Sequence, residues 1–349
     1  MAPLRHAVPI RCVHDGGEEA LRRFGVLGLA VSEVSNEPGA RTASSTEGSG
    51  SRRPQARANV DPSGCVPKGE WERARGKNSA AAEVRAIMTT LADRTITALR
   101  VTHDDLATLI SDLSEDQLRR PSGATDWTVA QVLSHLGSGA EIALAVLAAT
   151  IAGTTAPGQD FNHQVWDRWN AMKPQDQADG YVEHATRLIT TYEALAPAQR
   201  ETLQIDLGFR PAPLSVAAVA GMRLNETAQH SWDVRVAVDP DATIPRDTAQ
   251  LMAEHLAGDL QFMTGFIGKA DALATPAVIE IADSGFGIVI ADSVSLTQAV
   301  PTPTATFVGP LEAAIRLIGG RLTEAHTPAT VDVTGNLTLD DLRKVFPGY

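Results

Sequence analysis

The run "VAAVAGMRLNETAQHSWDVRVAV", residues 216–238, decides how the chain is read. It begins after "RPAP", stops at "DPD" and has no proline between, so it reads as one long helix. Its polar residues carry the information. Glu226 and His230 stand four apart, which places their side chains one above the other, about 6 Å apart along the axis. Two ligands of one metal ion have this spacing. So do two polar residues on the wet side of a helix, and the neighbours Gln229 and Ser231 fit that reading too.

A metal needs a third ligand from another helix. His135 is the best candidate, in "TVAQVLSHLGSGAEIALAVLAATIAG" (128–153), where Thr128 and Gln131 make a capping box and Val129, Val132, Leu133 and Leu136 line one side. Between Leu133 and Leu136, a neutral metal-bound imidazole is easier to place than a free polar ring. Two imidazoles and a carboxylate form a nitrogen and oxygen set suited to zinc, with a fourth position open. Asp233 lies on nearly the same face as Glu226 and suits either a carboxylate orienting a ligand histidine or a surface or capping residue. The plainer alternative is a surface Glu–His pair plus a core histidine satisfied by one carbonyl. His163, His184 and His255 read as surface residues, His103 and His326 as loop or helix-edge positions, and Trp127 and Trp232 as packing residues.

Further out, residues 88–113 show an apolar helical stripe at 96, 99, 106, 109, 110 and 113, interrupted by "RVTHDD". Gly137 and Gly139 leave room for another backbone to approach. A polar-aromatic stretch, "FNHQVWDRWNAM", precedes a helix bounded by Pro174 and Pro197, and Pro245 precedes a fifth, "RDTAQLMAEHLAGDLQFMTGFIGKA". Beyond residue 275 the period changes. "AVIEIAD" and "FGIVIAD" form a hairpin about Ser-Gly, "TATFVG" and "ATVDVTG" are strands, and "PLEAAIRLIGGRL" and "LTLDDLRKVF" are helices. The expected class is α+β: a helical bundle over 88–270, then a small α+β domain over 271–349. Residues 1–87, rich in Gly, Pro, Ser and Arg and without period, are expected to be a disordered arm or an over-extended start preceding Met88.

Charge and cysteine usage narrow the chemistry. Residues 1–87 carry 13 Lys/Arg against 10 Asp/Glu, and residues 88–349 carry 17 against 32, which argues against nucleic acid as a partner. Cys12 and Cys65 both precede residue 88, so the folded part has no disulfide, zinc–thiolate site or cysteine nucleophile of its own. "IALAVLAATIAG" is too short to span a bilayer and the start lacks a sustained apolar h-region, so a cytoplasmic protein is expected, with no membrane partner. No G-x-G-x-x-G or G-x-S-x-G occurs.

"DWTVAQVLSHL", "NETAQHSWDVRVA" and the C-terminal set "GP", "AAIRLIGGRL", "VDVTG" and "VFPGY" together resemble the actinobacterial family of mycothiol-dependent maleylpyruvate isomerases. The resemblance covers 88–349 and implies a DinB-like four-helix bundle. It implies that His135, Glu226 and His230 hold a divalent metal, usually zinc, and that the cofactor mycothiol supplies the thiol the chain lacks. The implied reaction adds that thiolate to the cis double bond of maleylpyruvate, allows rotation, and eliminates to the trans product. Relatives with altered pockets transfer or conjugate the thiol instead. Arg321, in "IGGRLT", is the first choice for a catalytic contact to the dianionic substrate, with Arg223 and Arg235 as alternatives. Partners are then a small-molecule thiol and a small organic substrate, and the protein a monomer or weak homodimer. Two other readings stand beside this one: a non-catalytic metal- or small-ligand-binding protein of the same fold, and an apolar-ligand carrier, since the C-terminal part also resembles sterol-carrier-like domains.

Overall fold

Proline and glycine punctuation divides the chain much as the elements fall. The computed structural model describes residues 90–348, so the expected 1–87 arm lies outside the described residues. Residues from Thr90 onward belong to one compact unit.

The helical part holds α1 (Leu91–Ser111), α2 (Glu115–Leu118), α3 (Val129–Ala152), α4 (Gln159–Asn170), α5 (Pro174–Ala194), α6 (Pro197–Thr202), α7 (Val216–Val236), α8 (Arg246–Leu256) and α9 (Gln261–Ile267). The four long helices α1, α3, α5 and α7 form the bundle, with α3 against α5 and α1 against α7 as the main pairs. Helix α1 starts at a capping box made by Thr90 and Asp93, and α3 at the box of Thr128 and Gln131. By length and composition alone α3 is apolar enough to cross a membrane. Its first half is bundle core, with Val132, Leu133, Leu136 and Ala140 fully buried.

Several local expectations need correcting. Helix α1 runs unbroken through "RVTHDD" because Thr102 and His103 are buried there. His103, expected at a loop or edge, lies in the bundle core, with Nε2 2.9 Å from Thr186 Oγ1 and Nδ1 3.3 Å from the Tyr181 hydroxyl. His255 is buried rather than on the surface, and His184 is partly buried edge-on to Trp169. The expected fifth helix is two, α8 and α9, separated by residues 257–260. Gly137 and Gly139 make room for side chains instead of backbone. A Cβ on Gly137 would lie 2.1 Å from the Trp169 ring, and one on Gly139 2.8 Å from Arg223 Nη1.

A two-residue ladder, β1 (Gln204–Ile205) with β2 (Leu214–Ser215), leads the chain into α7. Ser215 caps that helix, accepting from the Ala218 amide at 3.1 Å. Unlike an ordinary amphipathic helix, α7 is buried on nearly every side from Ala218 to Val234.

The C-terminal part is a five-stranded mixed sheet in the order β5-β4-β3-β6-β7, formed by β3 (Ala277–Ile281), β4 (Phe286–Ile290), β5 (Val294–Thr297), β6 (Ala305–Val308) and β7 (Asp332–Gly335). β3 and β6 run parallel; the other pairs are antiparallel. Strand β5, "VSLT", has no counterpart among the strands expected from sequence. Helix α10 (Leu311–Ile318) is buried from Glu312 to Ile318 and packs on α8, and α11 (Leu339–Val345) closes the fold. Gln229 on α7 donates to the Ile315 carbonyl of α10 at 3.1 Å, which ties this part to the bundle.

Candidate metal centre

Antiparallel packing of α3 beside α7 brings three donors to one point. His135 Nε2 lies 3.2 Å from Glu226 Oε2, and His230 Nε2 lies 3.7 Å from the same oxygen. One ligand atom from each of the three residues falls within 4.8 Å of the others. Two donors on one tetrahedral zinc stand about 3.4 Å apart, so these separations match. Glu226 Oε1 is buried and has no hydrogen-bond partner among the described residues. An orphaned carboxylate oxygen in the interior is costly unless a cation meets it. The residues therefore fit a divalent metal.

The carboxyl is suited to that role. Burial would raise it, but the hydrogen bond from His135 and the charges of His230, His135 and Arg223 bring Glu226 down to about 2. Burial pushes the His230 imidazole down, against the pull of Asp233. His230 is 4% exposed and Glu226 8%, so the expected alternative of a wet Glu–His pair does not hold. The side chain of His135 is 17% exposed and forms the accessible edge.

The far side of His230 is held in turn. Its Nδ1 donates to Asp233 Oδ2 at 2.8 Å, which leaves Nε2 as the acceptor facing Glu226. Asp233, fully buried, also accepts from Arg321 Nε at 3.0 Å and Nη2 at 2.7 Å, and Arg321 Nη1 donates to the Gly319 carbonyl at 2.7 Å. Burial would raise the Asp233 carboxyl, yet Arg321 and His230 hold it below its usual range. The structure thus places Arg321 behind the histidine, 6% exposed, and not beside Glu226. Arg235 donates to Ser231 Oγ and lines a cavity of about 300 Å³ with Asp239 and Asp241.

Trp127, expected to pack, packs on the site itself. Its ring is stacked 6.1 Å from that of His230 and tilted at 5.2 Å from that of His135. The loop carrying it is pinned to α7, the Gly123 amide donating to the Asp233 carbonyl at 2.8 Å. A Cβ at Gly123 would come within 2.7 Å of Val236, so only glycine permits that approach. The sequence signal was the position of Trp127 immediately before the cap of the helix bearing His135.

The mycothiol maleylpyruvate isomerase N-terminal domain profile matches residues 99–235. The chain is a distant match to this family. The span matched to the isomerase domain includes His135, Glu226, His230 and Asp233 and ends before Arg321. A crystal structure of a mycothiol-dependent maleylpyruvate isomerase superposes with a TM-score of 0.51 at 16% identity, covering 72% of this chain and 98% of that one. A histidine-to-alanine mutant of such an isomerase gives 0.50 at 15%, with the same coverage. At these identities the likeness is one of fold. No curated protein matches the sequence.

Proposed function

We propose that the chain is a metal-dependent, mycothiol-using enzyme of the maleylpyruvate isomerase type, acting by cis–trans isomerisation or by a related thiol transfer. The observation that carries this reading is the convergence of His135, Glu226 and His230, with Glu226 Oε1 left free of any protein partner among the described residues. Zinc is the metal assigned, on the donor set. A cysteine-free 88–349 is consistent with a thiol that comes from outside, and a cytoplasmic setting keeps that thiol reduced.

When bound, a divalent cation here favours the ionised form of a coordinated thiol. The chain's own residues do the rest. His135, Glu226 and His230 hold the ion, and Asp233 keeps the proton of His230 on Nδ1. Arg321, expected to meet an anionic substrate, acts in this reading as a positioning residue for Asp233. The Trp127 ring shields both imidazoles from water.

The test is elemental analysis of the purified chain, then titration with mycothiol and assay on maleylpyruvate. About one zinc per chain, thiol binding that needs the metal, and isomerisation support the reading; no zinc uptake on addition refutes it. A second reading, a metal-binding protein without this chemistry, is favoured by how closed the centre is, with Glu226 and His230 buried and Trp127 across them. Zinc without thiol binding would select it.

A further inference from the structure

In the functional reading above, zinc and a thiol must reach Glu226 and His230, yet both residues are buried and the Trp127 indole lies across His135 and His230. The segment carrying that ring is held in two unequal ways. Its backbone is fastened: the Trp127 carbonyl accepts from the Ser122 amide and from the Ser122 hydroxyl, each at 2.9 Å, and the Trp127 amide donates to the Ala124 carbonyl at 3.2 Å. Pro121 bridges to Thr128, the residue that caps α3. Asp126, at φ 65°, makes the left-handed step that aspartate tolerates better than most residues. The indole has no such fastening, and its N–H donates to no group among the described residues. Trp169 and Trp232 differ. Both are buried, and their N–H groups donate at 2.8 Å to Glu141 and to the Ala242 carbonyl. Trp127 is half-buried and held by packing alone, against two imidazoles and the edge of the core.

Ring contacts of this kind are weak enough to break thermally, and a side chain changes rotamer about its Cα–Cβ bond while its backbone stays in place. We propose that the Trp127 indole is the gate of the metal centre: it swings off the two imidazoles on a fixed backbone, and its open population sets how fast zinc and its ligands enter and leave. The inference rests on the metal reading above. A ring that closes over the filled and the empty centre alike slows entry and exit by the same factor and leaves affinity nearly unchanged, because it favours neither state. A ring that only steadied the imidazoles would act on exit, and therefore on affinity.

The experiment follows zinc by stopped flow on the full chain. Entry is read by mixing metal-free protein with zinc, and exit by mixing loaded protein with a chromophoric chelator, at concentrations where the exit rate no longer changes. Wild type is compared with Trp127→Ala, Trp127→Phe and Asp126→Gly, and circular dichroism checks each fold. In Trp127→Ala entry and exit should both quicken about tenfold or more, the reciprocal of an open population of roughly 10% or less, with the dissociation constant within about threefold of wild type. Trp127→Phe, a smaller ring on the same hinge, should fall between, and it carries the comparison if alanine is not tolerated. Asp126→Gly, which keeps the left-handed step and the indole, should match wild type. Faster exit with unchanged entry makes Trp127 a support for the imidazoles and overturns the gate, as do unchanged rates in both Trp127 variants. Exchange in Asp126→Gly as fast as in Trp127→Ala assigns the motion to the backbone and overturns it too. A wild type that takes up no zinc refutes the metal reading and the gate together, so zinc uptake tells the two failures apart.

Discussion

Helix α7 meets two buried histidines, and they are built differently. His255, 2% exposed, packs its ring against Gly221 and has the Thr95 hydroxyl 2.8 Å from Nε2, while Nδ1 has no partner among the described residues. His230, 4% exposed, lies between Glu226 on one nitrogen and Asp233 on the other. Burial lowers both imidazoles. What separates a packing histidine from a candidate ligand is the pair of carboxylates: one faces the point where a cation would be held, and the other fixes the proton on the opposite nitrogen.

The contrast is broken most severely at the triad. Alanine at His135, Glu226 or His230 should weaken zinc binding by more than the roughly 100-fold that loss of an outer partner causes. Metal analysis checks this, and circular dichroism should show the helices intact. Alanine at His255 should leave zinc content unchanged; loss of metal there would erase the distinction.

Next in size is acid sensitivity. Burial pushes His255 down to about 4 from 6.5, so between those values the unfolded chain takes up a proton that the folded chain refuses. Stability is therefore complete above about pH 6.5 and declines as the pH falls towards 4, by roughly 3 kcal/mol at full extent. Urea unfolding at about pH 7.5 and 4.5 should show a steeper loss in wild type than in His255→Leu. Equal losses would mean that His255 is already protonated in the fold.

Asp233→Asn should lower zinc affinity about 10- to 100-fold while leaving the three ligands in place, measured by competition with a chelator. Wild-type affinity in this variant would remove the outer carboxylate from the account. The smallest effect is Thr95→Val, which should cost about 1 kcal/mol of stability in urea and nothing in zinc content.

Much of the bundle and of the triad was legible in sequence because its signals are local. The i, i+4 spacing of Glu226 and His230 and the Thr128–Gln131 box need only the helix they sit on. Strands β3, β4, β6 and β7 were announced by alternation and turn residues, whereas "VSLT" of β5 is too short and polar to stand out. What stayed hidden depends on partners distant in the chain. His103 and His255 have polar neighbours in sequence, and only α5 packed on α1, or Gly221 opposite the ring, makes them interior. Gln229 and Ser231 suggested a wet face because periodicity cannot reveal that α7 is enclosed on nearly every side. Arg321 was noticed for its charge, but its link to Asp233 spans 88 residues.

That link has a thermodynamic consequence. The residue that steadies His230 is Asp233 of the bundle, and the residue that steadies Asp233 comes from the segment after α10. In the proposed metal reading, metal affinity and the seating of the C-terminal part on the bundle are therefore coupled quantities. Whatever factor the Arg321–Asp233 contact adds to the hold on the ion, the ion must add to the hold between the two parts, since binding free energies around a closed cycle are reciprocal. Chelation should then loosen residues 311–348 in hydrogen exchange, although none of them is a ligand, and cutting the C-terminal part away should weaken a centre whose three ligands all remain.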